Sequence, residues 1–274
     1  EVQSNYDSEL IDELPVGRSL TAITNLAPGV TGGMNGPSIS GGFSFDNLYT
    51  VNGAVVQENL RGQPHDLFIE DAIQETTVQT AGVSAEFGNF TGGVVNAITK
   101  SGGNEFSGSL RDTLVNPAWS AKSPDVWTLA SKQPGGIRRV PQKENESSLN
   151  QTYEATFGGR IIRDRLWFFF AGREAEVDAE RVFGGGNSER FTFLTSQRRL
   201  EGKLTGSVTP RHSLVASYLE APITSQNECQ VVGCYDEMGL IPSSARAQEF
   251  RTANYNGVIT NNFLLEARYS EKYF

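Results

Sequence analysis

The sequence predicts a small mixed α/β unit followed by antiparallel transmembrane β-barrel strands. Three observations carry this. Up to about residue 104, short helix and strand signals sit among many turn formers. Beyond residue 105, long segments alternate strictly between apolar and polar residues. Brief turns join those segments in pairs, and long polar stretches separate the pairs.

In the first part, Ser8 reads as the N-cap of a short helix over 8–14 that Pro15 stops, and Ser19 as the cap of a second over 19–26, ended by Pro28 and Gly29. A third helix is expected over 66–74, capped by Asp66 with Glu70 and Asp71 inside it. β-Branched content predicts strands over 48–51, 75–80 and 94–99.

In the second part, Tyr153, Ala155, Phe157, Gly159 and Ile161 share one face, and Thr152, Glu154, Thr156, Gly158 and Arg160 the other. The same split recurs for Leu200, Gly202, Leu204, Gly206 and Val208 against Glu201, Lys203, Thr205, Ser207 and Thr209. It recurs again for Phe263, Leu265, Ala267 and Tyr269, with only Leu264 out of phase on the polar face. Short turns are expected at 162–164, 209–212 and 260–262, and long loops at 116–146, 178–189 and 221–248. About seven strands follow, each near or above the ~9–11 residues that cross a bilayer obliquely. A soluble sandwich also alternates faces. Loops of some thirty residues at one end only, and aromatic residues near strand ends (Trp167 to Phe170, Tyr218, Tyr269, Tyr273), favour the barrel.

The net charge of −9 argues against nucleic acid as a partner, because phosphates need a basic face. No apolar run is long enough for a membrane helix, and no signal peptide opens the chain. His65 and His212 are the only histidines and neither is near Cys229 or Cys234, so no metal, cofactor or enzymatic chemistry is expected. The cysteines have four residues between them in a polar loop. They read as a local disulfide or as two free thiols.

The segment 72–104 closely resembles the last part of TonB-dependent receptor plugs. Ala85-Glu-Phe-Gly88, Gly92-Gly-Val-Val-Asn96 and Thr99-Lys-Ser-Gly102 match ordered blocks of that family, and Asn104-Glu-Phe-Ser-Gly108 matches the start of its first barrel strand. Leu14-Pro-Val-Gly-Arg18, Leu26-Ala-Pro-Gly-Val30 and Tyr49-Thr-Val-Asn-Gly53 resemble its upstream elements. Gly158-Gly-Arg-Ile-Ile-Arg-Asp164 with Leu166-Trp-Phe-Phe-Phe170 resembles a barrel hairpin of the Oar-like branch. Asn52 stands where many members carry Asp, and Ser40-Gly-Gly42 replaces the Arg-Gly pair common in siderophore receptors.

The resemblance implies a plug at 1–104 and the N-terminal part of a barrel at 105–274, about seven of ~22 strands. The chain is then a fragment. Phe274 shares a face with Arg268, Ser270 and Lys272, which is the wrong phase for a natural barrel terminus. The plug motif residues are Asn52, Gly53, Glu86, Gly88, Gly92, Gly93, Asn96, Lys100 and Gly102. The glycines are expected to let backbone approach the wall, and Glu86, Asn96, Lys100 and Asn104 to find polar partners on the inward strand face. Trp119 and Trp127 are expected on extracellular loops, contacting ligand or pinning a loop to the rim.

The implied function is ligand-gated, TonB-energised nutrient import across the bacterial outer membrane. Its implied partners are TonB, through a segment upstream of residue 1, outer-membrane lipid, and a peptide, glycan or metal chelate. An adhesion or surface-binding protein on the same scaffold is the alternative.

Overall fold

The computed structural model describes residues 2–14, 18–33, 36–57, 64–65, 67–84, 87–121, 126–129, 137–140, 147–183, 189–229 and 234–273, with backbone alone at 126–129 and 137–140. The first part contains strands β1 (Val2–Asp7), β2 (Val30–Gly33), β3 (Gly36–Ile39), β4 (Leu48–Val51), β5 (Ala54–Val55), β6 (Ile73–Ala81) and β7 (Val94–Thr99), with helices α1 (Ser8–Glu13) and α2 (Leu20–Thr24). Five strands form one sheet in the order β1-β6-β7-β4-β5, in which only the β4–β7 pair is parallel. A separate β2–β3 hairpin lies beside it. Ile11, Leu20, Ile23, Tyr49, Phe68, Ile69, Val78 and Val95 form the core. Wall residues Phe169, Ala171, Leu219 and Phe250 join the same core.

Local signals explain several of these elements. Asn52 and Gly53 both have positive φ and turn β4 tightly into β5. Ser19 Oγ accepts from the Ala22 N–H and caps α2. For α1 the cap is Asp7, not Ser8, since the Asp7 carboxylate accepts from the Leu10 N–H at 2.8 Å. The helix expected over 66–74 does not form. Asp66 is outside the described residues, Glu70–Ala72 is a single 3-10 turn, and β6 begins at Ile73. The edge strand β1 was not anticipated from its polar sequence. Its partner β6 lies some seventy residues away, with Asp7 opposite Glu75.

The second part is one long antiparallel sheet. Its strands are β8 (Ser107–Val115), β11 (Asn150–Ile162), β12 (Leu166–Val182), β13 (Arg190–Thr209), β14 (His212–Glu220), β17 (Glu249–Thr260) and β18 (Phe263–Tyr273), paired in the order β18-β17-β14-β13-β12-β11-β8. Between β8 and β11, β9 (Val126–Leu129) and β10 (Ile137–Val140) pair with each other. The turns at 163–165, 210–211 and 261–262 all lie at one end. Alternation has the sense a membrane wall requires. Phe157, Leu200, Leu204 and Val208 are exposed on the outside, while Glu154, Arg199, Glu201 and Lys203 are buried against the plug. No helix among the described residues is long and apolar enough to cross a membrane, which leaves a strand-built crossing untouched.

Two expected loops are shorter or more structured than their composition suggests. β12 and β13 pair continuously from Leu166 opposite Gly206 to Val182 opposite Arg190, so 178–182, the first part of the expected 178–189 loop, belongs to the sheet. Within 221–248, β15 (Ile223–Cys229) and β16 (Leu240–Arg246) form a hairpin. β15 continues alongside β13 at Leu194–Gln197, beyond the point where β14 has left it. Cys229 and Cys234 are joined by a disulfide in this hairpin. At 17 and 20 residues, β12 and β13 are longer than the ~9–11 residues of an oblique bilayer crossing, and the β15–β16 hairpin pairs with β13 in its first half, at Leu194–Gln197.

Tyr49 supplies a test of plug packing. Its hydroxyl is buried without a well-formed hydrogen bond, and burial pushes its pKa from 10.0 up to about 12 against a weaker opposing pull from the Asn47 side chain. The folded form therefore keeps a proton that the unfolded chain loses between those values, and stability falls as pH rises through this window. Tyr49→Phe is expected to be neutral or stabilising by about 1 kcal/mol at pH 7, because it removes a buried hydroxyl that has only a weak contact with Asn47. It should also flatten the alkaline loss of stability between pH 10 and about 12 in denaturation of the full-length protein.

Candidate functional site: the plug–wall interface

Where plug meets wall, charges of both signs converge, and most of them are removed from solvent together. Arg18, just ahead of α2, bridges Asp71 of the 3-10 turn and Glu154 of β11. Arg111 on β8 reaches Asp71 at 3.1 Å and Asp12 at 2.9 Å. Arg173 on β12 faces Glu70 at 3.1 Å and Glu154 at 3.5 Å, and Arg199 on β13 faces Glu70 at 3.4 Å. Four carboxylates, Asp12, Glu70, Asp71 and Glu154, thus meet four guanidiniums, Arg18, Arg111, Arg173 and Arg199. The formal charge cancels.

The strand period explains this convergence. Glu154, Arg173 and Arg199 occupy inward positions on adjacent strands, with Glu154 opposite Arg173 and Arg173 opposite Arg199 in register. Glu154 is 1% exposed, and a carboxylate so buried is tolerable only with paired cations. Burial raises the pKa of Glu70; Arg199 and Arg173 pull it down, neighbouring Glu154 adds to the rise, and the net shift is upward. Burial alone would lower the pKa of Arg18, but the charges of Glu154 and Asp71 outweigh it and the net shift is upward. Both arise from one low-dielectric, charge-dense contact.

Around this cluster, wall side chains donate to plug backbone carbonyls. Arg199 Nη1 reaches Phe68 O at 3.0 Å, Lys203 Nζ reaches Thr99 O at 2.8 Å, Asn254 Nδ2 reaches Asn52 O at 3.2 Å and Lys272 Nζ reaches Gln57 O at 3.1 Å. Such contacts fix the position of the plug without depending on its side chains. A cleft of about 1070 Å³ separates the plug turn at Asn52 and Gly53 from Lys203, Asn254, Asn256 and Arg268 of the wall.

The sequence-expected residues divide. Gly102 is the close approach to the wall: a Cβ there would lie 2.1 Å from Phe168 O and 2.8 Å from Gly159 O. Gly92 and Gly93 are crowded inside the plug instead, against Asn47 and Ile39. Gly88 and Gly103 have nothing within 4 Å of such a Cβ. Asn96 Oδ1 accepts from Thr50 within the plug sheet, and Asn96 lines the cleft that faces Lys203 and Asn254 of the wall. Asn52 fastens β7 through the Thr99 N–H and meets the wall through its own carbonyl. The Lys100 N–H bonds Ala72 O, and its side chain lines a small cavity beneath the ionic cluster with Arg18, Glu70 and Asp71.

Asn104 finds partners both on the inward-parity positions Arg160 of β11 and Trp167 of β12, and in the turn between them at Asp164. Its Oδ1 accepts from the Asp164 N–H and from Trp167 Nε1. Glu86 and the Trp127 side chain lie outside the described residues, and Trp119 is exposed on a 3-10 turn after β8. Sequence reading missed the ionic cluster. The available signal was charge at inward strand positions, with Glu154, Arg173 and Arg199 all on faces the barrel would enclose. Among the described residues no group of His, Cys, Asp and Glu could hold a metal ion.

Comparison with known proteins agrees with this architecture. No family model matches the chain. Over 174 residues it is 33% identical to the TonB-dependent transporter Oar of Myxococcus xanthus, covering 60% of this chain and 16% of that relative's length. A solved ferric enterobactin receptor (PfeA) of Pseudomonas aeruginosa in complex with enterobactin aligns with TM-score 0.69 at 18% identity, covering 98% of this chain and 41% of that one. The outer membrane transporter YddB of Escherichia coli aligns with TM-score 0.68 at 15% identity, covering 98% and 38%. At those identities the structural likeness speaks for the fold.

Proposed function

We propose that the chain is part of a TonB-dependent outer-membrane receptor and that it supplies the gate and the first stretch of wall for ligand-triggered, TonB-energised import of a nutrient. Residues 1–104 act as the plug and 105–274 as barrel. The observation that carries this reading is the neutral eight-charge contact between plug and four successive wall strands. A plug held by paired charges and wall-to-backbone hydrogen bonds closes the lumen until work is done on it. Among the described residues β1 pairs only with β6, at the edge of the plug sheet. A pull delivered on its N-terminal side would load the plug first there. The ligand, a peptide, glycan or metal chelate, lands on the surface formed by the disulfide-closed β15–β16 hairpin and the loop bearing Trp119.

The test is uptake by cells carrying the full-length protein, with ligand binding measured in parallel. Removing TonB, or the segment preceding Glu1, is expected to abolish uptake and leave surface binding intact. Uptake that continues without TonB would overturn the reading. Binding with no TonB-dependent uptake of any nutrient tested would favour an adhesion protein.

A further inference from the structure

We propose that the short-turn end of the wall carries a binding site for the headgroup of an anionic glycerophospholipid, built on Arg163 and Arg165. The inference rests on the outer-membrane placement of the sheet and goes beyond its role as a gate. The chain as a whole is acidic, with 32 Asp and Glu against 23 Lys and Arg. Yet Arg160, Arg163, Arg165 and Arg211 gather at this end, against Glu105 and Asp164 nearby. All four arginines are exposed.

Two features distinguish this cluster from scattered surface charge. First, it lies directly beyond the lipid-facing apolar band. Phe106, Phe157, Phe168 and Phe170 form a continuous ring cluster with neighbouring centroids 5.5–6.3 Å apart, and exposed Ile161 and Ile162 lead from it into the turn. Acyl chains would lie on this band, and a phosphate would reach the level of the arginines.

Second, the turn is held in place. The Asn104 carbonyl accepts from Arg160 Nη1 at 2.7 Å. The Asn104 amide accepts from the Asp164 N–H and from Trp167 Nε1, and donates to the Asp164 carboxylate. Arg160 also stands over the Phe106 ring. Asp164 adopts the left-handed conformation that this clamp requires. Arg163 is left with only a long contact to Asp164, at 3.8 Å, and its side chain is 77% exposed. Two arginines on a fixed turn suit the forked geometry of phosphate recognition. A headgroup lacking an ammonium is favoured because the local balance of charge is positive.

The test uses the full-length protein in nanodiscs of phosphatidylethanolamine with a minority of phosphatidylglycerol, with the retained annular lipid quantified by mass spectrometry. Roughly tenfold enrichment of phosphatidylglycerol over the bulk mixture is expected, falling to within about twofold in R163Q/R165Q. R198Q, an exposed arginine in the middle of β13 and away from the short turns, should keep the enrichment. Absence of enrichment in the wild-type protein, survival of it in R163Q/R165Q, or equal loss in R198Q would each overturn the proposal. Heat-modifiable migration verifies that each variant is a folded barrel, and protein that fails to enter nanodiscs would instead count against the membrane reading.

Discussion

Replacing Glu154 with glutamine is expected to weaken the seating of the plug by about 3 kcal/mol, the largest effect of any single charge in the cluster. Glu154 is buried between Arg18 of the plug and Arg173 of the wall. Its neutralisation leaves those two guanidiniums facing each other with Glu70 and Asp71 as their remaining anions. Arg18→Met should cost less, because Asp71 keeps Arg111 and Glu154 keeps Arg173. The double variant should cost less than the sum of the two, since removing both partners leaves no uncompensated charge between them.

Hydrogen exchange in the full-length protein reads this directly. Amides in α1, α2 and the Glu70–Ala72 turn should exchange faster in Glu154→Gln, while those of β12 and β13 stay protected. Cells carrying the variant should also admit a large antibiotic that the wild-type barrel excludes. Unchanged exchange in those plug segments together with unchanged exclusion would remove the ionic cluster from the gating scheme.

The wall was readable because its physics is local. An inward residue is polar and an outward one apolar, so Tyr153, Phe157, Leu200 and Leu204 declare their face without knowledge of a partner. Ser19 and the Asn52-Gly53 turn are equally local. The errors occur where distant residues decide. Glu70 and Asp71 resemble the acidic first turn of a helix, but Arg111, Arg173 and Arg199 claim them from strands that come much later in the sequence. One 3-10 turn then presents both carboxylates, and β6 starts at once.

The β1 strand has no apolar stripe and exists through its ladder with β6. The end of β12 is rich in charge, so its sequence reads as loop although its ladder with β13 continues to Val182. For the same reason the glycine blocks were only half legible. Spacing identifies them, but not whether the crowding neighbour is the plug or the wall.

Gly102 and its neighbour Gly103 turn that last point into a comparison. Gly102→Ala is expected to destabilise the assembled protein by on the order of 3 kcal/mol or more, while Gly103→Ala is expected to be tolerated. A methyl at Gly102 would meet Phe168 O at 2.1 Å and Gly159 O at 2.8 Å. Both are backbone carbonyls, and Gly159 and Phe168 lie opposite each other on β11 and β12. Neither can rotate away as a side chain could. Relief requires the segment leaving β7 to move off the wall. That movement would strain the Asn104 clamp two residues later and the Lys203 bond to Thr99 three residues before.

Gly103 has nothing within 4 Å of the corresponding position, so its substitution isolates the loss of glycine flexibility from the clash. The amount of heat-modifiable full-length protein in the outer membrane should fall severalfold for Gly102→Ala and stay near wild type for Gly103→Ala. Equal levels for the two variants would mean that the plug can leave the sheet by another path, and that the close passage at Gly102 does not fix how plug and wall are joined.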